Sequence, residues 1–172
     1  MMGRNLKRIH IIGRKNSGKT TLTVDLVKEL TRRGHRVGTI KHTHHHHELD
    51  TPGKDSYRHR QAGSSAVGIL SPQMNAIFWP NVAAPATDSA KYEQFDSLMS
   101  QCDIVLVEGD SATSAPKIEV YRAAVGSEPM ATGDPTIQAV VTDDPLELDI
   151  ACWPRADLSV LVQHIEAQFD RQ

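Results

Sequence analysis

The residues from Gly13 to Thr20 have the types and the spacing that a phosphate-binding loop needs. They read Gly-Arg-Lys-Asn-Ser-Gly-Lys-Thr and match the pattern G-x-x-x-x-G-K-[ST] at every fixed position. Glycine lets the backbone bend around an anion and turn its N–H groups inward. The Lys19 ammonium can contact the β- and γ-phosphates, and the Thr20 hydroxyl can ligate Mg2+. The loop therefore predicts a site for a nucleoside triphosphate with Mg2+.

The residues expected to contact the nucleotide are those of the loop and the start of the next helix. We assign this role to Gly13, Lys15, Asn16, Ser17, Gly18, Lys19, Thr20 and Thr21. A strand must deliver the loop, and Lys7 to Ile12 is a short β-branched run of that length. A helix must follow it, and apolar residues recur every four positions in a stripe that stops at Gly34, namely Leu22, Leu26 and Leu30. The catalytic residues stay unknown, because no glutamine or arginine finger is recognisable.

The run from Asp103 to Gly109, Asp-Ile-Val-Leu-Val-Glu-Gly, is the second sign of a nucleotide site. A buried strand that ends in an acid beside the first strand is typical of a Walker B strand, which holds Mg2+ and its water shell. Glu108 is the predicted metal ligand together with Thr20, although most such strands end in aspartate. Asp110, just past the glycine, is the alternative ligand.

A polar segment from His42 to Ser56 follows the predicted strand Arg36 to Lys41, and its Pro-Gly turn indicates an exposed loop. Ligands of open α/β sheets lie at the carboxyl ends of the strands, so we expect this loop to face the triphosphate. Lys41 and Lys54 are the expected phosphate contacts because their charge is permanent. Two acids could reach Mg2+ directly or through water, Asp55 and Asp50.

Six histidines between His42 and His59 allow two interpretations. Imidazoles in a flexible run can bind Zn2+ or Ni2+, but such a run lacks a preorganised geometry. The simpler interpretation is a solvated loop with one or two histidines near phosphate.

Composition narrows the class of protein. A chain of 172 residues, 39% hydrophobic and 23% charged, suits one domain over residues 1–172. The formal net charge of −2 predicts no nucleic-acid partner. Cys102 and Cys152 are too few for a disulfide framework; we expect core thiols and a reducing, cytoplasmic compartment. The basic N-terminus precedes only a short apolar run, so we expect neither a signal peptide nor a membrane span.

The rest of the chain alternates between strand and helix patterns. Further strands are predicted at Val67 to Leu70, Ala76 to Trp79, Lys117 to Tyr121 and Ile137 to Val141. Helices are predicted at Asp55 to Gln61, from Tyr92 to about Gln101, and from Leu158 to Phe169. Residues 81–90 read as a linker or lid, and Trp153 as a core residue or an edge cover. The predicted fold is α/β, a P-loop NTPase three-layer fold with a mostly parallel central sheet and helices on both faces.

Three stretches of the chain resemble the MobB family of molybdopterin-guanine dinucleotide biosynthesis adapter proteins, a branch of the P-loop GTPases. They are the loop from Gly13 to Thr20, the segment Gly38 to His45 with Thr51 to Ser56, and the run Asp103 to Gly109. The second stretch, Thr-Ile-Lys-His-Thr-His-His followed by Pro-Gly-Lys-Asp-Ser, is the specific one. Similarity at Lys117 to Arg122 and Ala139 to Pro145 extends the resemblance over nearly the whole chain.

The resemblance implies a cytoplasmic homodimer that binds GTP and Mg2+ and assists the molybdenum cofactor guanylyltransferase, which joins GMP to molybdopterin. Molybdopterin itself is a further candidate ligand. Hydrolysis of GTP should be slower than about one per minute, because positioning alone would drive it. The chain departs from the family where Asp110-Ser111 stands in place of the usual Phe-Lys, which exchanges a cation near the phosphates for an acid. His46 and His47 are also not general family features.

Two other classes stay open. A nickel or zinc metallochaperone of the P-loop GTPase type could use the histidine-rich loop, although such sites usually contain cysteine ligands. A small-molecule kinase would need a lid with several arginines, and Asn81 to Lys91 contains none.

The choice of base must come from outside the common guanine motif Asn-Lys-x-Asp, which is absent. We predict that Asp143 reads guanine, because it follows the strand Ile137 to Val141 and matches the family pattern Ser/Thr-Asp-x-Pro. A carboxylate there accepts from the guanine ring N–H and exocyclic amine together. Asp144 is the rival, and a turn role for Asp143 is the alternative.

Overall fold

The computed structural model describes residues 7–45, 47–81 and 90–169. Its contacts fall into two compact units, residues 1–43 with 87–172, and residues 44–86. In chain order the elements are β1 (Arg8–Ile12), α1 (Lys19–Arg32), β2 (Val37–Lys41), α2 (Asp55–Gln61), β3 (Val67–Leu70), β4 (Asn75–Phe78), α3 (Ala90–Asp96), β5 (Ile104–Glu108), β6 (Lys117–Val120), β7 (Ile137–Val141), β8 (Ala151–Trp153) and α4 (Leu158–Phe169). The single domain expected over residues 1–172 stays a prediction.

The first unit is built on a six-stranded sheet in the order β2-β5-β1-β6-β7-β8. Every pairing in it is parallel. Parallel strands are normally covered on both faces, so their sequences read as continuous apolar runs, as in Arg-Ile-His-Ile-Ile and Ile-Val-Leu-Val-Glu. The predicted α/β fold with a parallel central sheet is confirmed.

Helices cover both faces of this sheet. The apolar stripe of α1 is fully buried and shares one core with α4 and the inward side chains of the sheet, a set that includes Leu22, Leu26, Leu30, Leu161 and Ile165. On the other face, Tyr92 of α3 packs with Val105, Val107 and Ile40 in a smaller cluster. These two layers hold β1 and β5 side by side, and the site lies at the carboxyl ends of those strands.

The second unit contains α2 and an antiparallel hairpin of β3 and β4. A network of charged side chains holds its first residues, in which Arg60 pairs with Glu48 and lies 3.6 Å from Asp50. Asp50 is buried and accepts hydrogen bonds from the Ser56 hydroxyl and the Thr51 N–H. Its carboxylate thus has a structural role within this unit.

Several expectations need correction. The helix expected to run to about Gln101 ends at Asp96, because the chain then turns, with Cys102 N–H donating to Met99 O, and Leu98 stays 57% exposed. The edge strand β8 was not expected from its three residues Ala-Cys-Trp. Cys152 on β8 is exposed, so it is not a core thiol, and Cys102 is half-buried. None of the helices in the described ranges is long and apolar enough to span a bilayer.

Candidate functional site

The loop between β1 and α1 has a backbone that its sequence explains. Gly13 has φ 144°, and a Cβ there would lie 2.4 Å from the Val120 carbonyl oxygen and 2.7 Å from the Ser17 hydroxyl. Gly18 caps α1 with φ 97°, and Asn16 is left-handed at φ 65°. Only glycine fits such an approach at position 13. The loop is thereby bent over the N-terminus of α1, where backbone N–H groups are available to an anion.

Lys19 lies folded back on the loop. Its Nζ donates to the Gly13 carbonyl at 2.9 Å and to the Arg14 carbonyl at 2.7 Å. Burial lowers the pKa of the ammonium, and the nearby Glu108 carboxylate opposes that shift. A phosphate placed over the loop would offer the ammonium stronger, charge-assisted acceptors than these two carbonyls.

The Ser17 hydroxyl is a second sign that the loop is shaped for a ligand. Ser17 is only 2% exposed, and its Oγ has no hydrogen-bond partner within the described residues. Buried polar atoms are nearly always paired in folded proteins, so an unpaired one calls for a partner from outside the chain. The atom lies against Gly13, inside the bend of the loop.

Thr20 and Glu108 meet as the sequence predicts for a Mg2+ site. Thr20 Oγ1 donates to Glu108 Oε1 at 2.8 Å, and the Lys41 ammonium lies 3.7 Å from the same carboxylate oxygen. Glu108 is brought there because β5 pairs with β1, with Ile11 opposite Glu108. A hydroxyl and a carboxylate are the oxygen ligands that suit Mg2+, which keeps several waters. The donor set therefore fits this metal.

Asp110 is engaged elsewhere. It is buried with a left-handed φ of 63°, and it accepts from the Tyr92 hydroxyl at 2.6 Å and from the Lys91 ammonium at 2.7 Å. Burial opposes its charge, but these two hydrogen bonds outweigh that effect, so the pKa of the carboxyl is lowered. The geometry favours Glu108 over Asp110 as the metal ligand.

His10 lies behind the site, in the middle of β1. Burial lowers its pKa to about 4, although the nearby Asp110 carboxylate acts in the opposite direction. Its ring meets that of Tyr92 edge to face, with the centroids 5.3 Å apart. The imidazole is therefore neutral at pH 7 and fills the core beneath the end of β5.

The two aspartates after β7 both hold turns. Asp143 Oδ1 accepts from the Ala156 N–H at 2.8 Å, while Asp144 Oδ2 accepts from the Ala123 N–H at 2.7 Å. Asp143 thus has the turn role weighed above for one of its oxygens. Its proposed contact with guanine stays a prediction.

Two basic residues with a part in this region were not singled out from the sequence. Lys117 at the start of β6 is 2% exposed, and its ammonium contacts the Ser111 and Thr113 carbonyls and the Asp134 carboxylate, at 2.8, 2.7 and 2.7 Å. Arg122 follows β6, and its Cδ lies 4.0 Å from the position of a Cβ on Gly18. A cation just past a parallel strand was a usable signal for Arg122, because strand ends share one edge.

Lys54 and Asp55 belong to the second unit, at the start of α2. Their contacts with phosphate and Mg2+ stay predictions. In the part of the chain that the structure describes, no three histidine, cysteine, aspartate or glutamate side chains are grouped so that they could hold a metal ion.

A parallel sheet, a glycine-rich loop that joins its central strand to a helix N-terminus, and an acid at the tip of the neighbouring strand define a P-loop protein. The model of the family described as Molybdopterin guanine dinucleotide synthesis protein B, MobB, matches residues 8–143. The chain belongs to the MobB family.

Relatives and solved structures agree with this assignment. The chain is 39% identical over 150 residues to the molybdopterin-guanine dinucleotide biosynthesis adapter protein of Haemophilus influenzae, which covers 86% of this chain and 81% of that protein. The Escherichia coli protein of the same name is 35% identical over 159 residues, with 91% and 89% covered. The crystal structure of Bacillus subtilis MobB has a TM-score of 0.71 at 20% identity and covers 95% of this chain and 98% of that one, which shows the shared fold.

Proposed function

We propose that the protein is a GTP-binding adapter that assists the attachment of GMP to molybdopterin in molybdenum cofactor biosynthesis. Family membership supports the pathway, because the relatives are named as adapter proteins of molybdopterin-guanine dinucleotide biosynthesis. The observation that carries the nucleotide site is the 2.8 Å hydrogen bond between Thr20 and Glu108 beside a loop shaped for phosphate. This role in cofactor synthesis supports a cytoplasmic location.

Each residue of the site would have one task. Backbone N–H groups of the loop would surround the β-phosphate, and Lys19 would leave the Gly13 and Arg14 carbonyls to neutralise the phosphate charge. Thr20 and Glu108 would hold Mg2+, which supplies charge to the β- and γ-phosphates when it is bound. Lys41, beside Glu108, is placed to add a second cation.

Hydrolysis would be slow in this site. Positioning and charge neutralisation accelerate phosphoryl transfer only in part, and a residue that orients the attacking water is needed for fast turnover. Turnover of purified protein should stay below about one per minute. Rapid hydrolysis without a partner protein would contradict this proposal.

Calorimetry tests the binding part of the proposal. GTP should bind in the presence of Mg2+ and more weakly after EDTA treatment, and ATP should bind more weakly than GTP. A deletion strain tests the adapter part, because enzymes that carry the guanine dinucleotide cofactor should lose activity. The wild-type gene should restore that activity, and a gene with Lys19→Ala should not. Full molybdoenzyme activity in the deletion strain would refute the adapter function.

We further propose a homodimer, and the second unit supplies the support. Apolar side chains of the hairpin and the segment before α2 are open to solvent, with exposed fractions of 79% for Leu49, 87% for Leu70, 74% for Met74 and 48% for Ile77. Leu70 and Ile77 lie on the same face of the hairpin, since Leu70 pairs with Asn75 and Ile77 with Gly68. A cluster of this kind commonly marks a protein interface.

Sedimentation of the purified protein tests the dimer. Wild type should sediment as a dimer, and Leu70→Glu should shift it toward a monomer with unchanged circular dichroism. Val24→Glu is a matched control, because Val24 is also an exposed apolar residue, 46% accessible, but lies on α1. A monomeric wild type, or a dimer that Leu70→Glu leaves intact, would contradict the proposed interface.

The metallochaperone and kinase alternatives gain no support. The relatives' names point to cofactor biosynthesis, and the described residues contain no metal-binding cluster.

A further inference from the structure

We propose that Arg122 contacts the phosphates of the bound nucleotide, from the side of the loop opposite to Mg2+. The inference rests on the proposed nucleotide site. It adds a third flank to that site, since Glu108 and Lys41 come from β5 and β2, whereas Arg122 comes from β6.

The sheet order brings Arg122 to the loop. β6 pairs with β1 on the side away from β5, with Ile12 opposite Glu119. The end of β6 touches the loop directly, because the Val120 carbonyl lies where a Cβ on Gly13 would be. Two residues later, the Arg122 side chain passes Gly18, with its Cδ 4.0 Å from the position of a Cβ there. Gly18 is the cap of α1, so the arginine passes the helix end that would bind phosphate.

The backbone at Arg122 is held on both sides. The Tyr121 N–H donates to the Val141 carbonyl at 3.1 Å, and the Ala123 N–H donates to Asp144 Oδ2 at 2.7 Å. Arg122 itself is extended, with φ −143° and ψ 123°. A side chain that starts from a backbone fixed in this way loses less freedom when it binds a ligand. This arrangement gives Asp144 a positioning role through the turn.

The charge at Arg122 is available to a ligand. Its side chain is exposed, and its guanidinium forms no ion pair or hydrogen bond within residues 7–45, 47–81 and 90–169. Other arginines of the first unit are paired, for example Arg33 with Glu29 and Glu166, and Arg155 with Asp25. A guanidinium can bind phosphate oxygens with two parallel hydrogen bonds, which a lysine cannot do.

Binding measurements on three variants test the assignment. Arg122→Ala should weaken GTP binding about 10- to 100-fold, as expected for the loss of a hydrogen bond to a charged group. Arg122→Lys should recover part of the loss, because it keeps the charge but not the paired geometry. Arg32→Ala is the matched control, since Arg32 is 71% exposed at the far end of α1 and should leave binding within twofold. Thermal melting should show that all three variants are folded.

Inorganic triphosphate distinguishes the phosphates from the base. It should displace labelled GTP from the wild type, and Arg122→Ala should raise the concentration needed by the same factor as it raises the Kd for GTP. Unchanged GTP affinity in Arg122→Ala would overturn the assignment. So would a loss for GTP without a loss for triphosphate, or a wild type that triphosphate cannot displace. If the wild type binds no GTP at all, the proposed function itself fails and the role of Arg122 falls with it.

Discussion

Replacement of Lys19 by alanine should weaken GTP binding at least tenfold and leave the fold intact. Lys19 is the first residue of α1, and its ammonium lies over the loop, bonded to the Gly13 and Arg14 carbonyls. A bound triphosphate would take the place of these carbonyls as acceptor. The variant loses the ammonium in both states, so the effect on affinity is the difference between the two sets of contacts.

That difference can be worked out from the contacts. Two neutral acceptors at 2.9 and 2.7 Å are lost from the free protein, each with a net worth of about 1 kcal/mol. Two hydrogen bonds to charged phosphate oxygens are lost from the complex, each worth about 1.5–3 kcal/mol. The net change is at least about 1.4 kcal/mol if each phosphate contact exceeds each carbonyl contact by about 0.7 kcal/mol, and this corresponds to a tenfold weaker Kd.

Isothermal calorimetry with GTP and Mg2+ measures this change. Lys28→Ala is the matched control, because Lys28 is an exposed lysine of the same helix and its removal changes the net charge equally. The control should bind GTP like the wild type, and both variants should melt within a few degrees of it. An affinity of Lys19→Ala within twofold of the wild type would show that the ammonium does not contact phosphate.

Three further predictions concern the metal, the base and the pH dependence. Glu108→Gln keeps an oxygen for Thr20 but removes the charge, so titration with Mg2+ should show a larger loss of metal dependence than of GTP binding; unaltered dependence would exclude Glu108. Asp143→Asn should weaken GTP and improve xanthosine triphosphate; equal binding of both would end its role in base choice. Burial lowers the pKa of His10 from 6.5 to about 4, so the unfolded chain binds the proton first and stability should fall by roughly 3 kcal/mol from pH 7 to 4. His10→Leu should flatten that fall in urea titrations, and an equally steep fall would contradict it.

Much of the architecture was predictable because the signals were local. The strand before the loop, the stripe of α1 and the run ending at Glu108 each have a period or a motif of their own. The juxtaposition of Thr20 and Glu108 followed from the rule that Walker strands are neighbours in the sheet. The hairpin of β3 and β4 was also visible, as two short runs close in sequence.

The missed features depend on contacts between distant residues. Strand β8 has three residues and is fixed only by pairing with β7. The burial of Lys117 depends on three acceptors supplied by two separate loops, which no local pattern of charge reveals. The partners of Asp110 come from α3, so its sequence position after Gly109 could not separate a metal ligand from a buried ion pair.

Lys117 and Asp110 together have a consequence for how the protein could signal. In switch-type GTPases, the segment after the Walker B strand changes conformation with the γ-phosphate. Here that segment is fastened at both ends, at Asp110 by Lys91 and Tyr92 and at Thr113 by the buried ammonium. Displacing it would leave buried charges unpaired, at a cost of about 3–5 kcal/mol for one such pair. A stiff segment of this kind suits a protein that carries or presents GTP better than one that reports whether GTP has been hydrolysed.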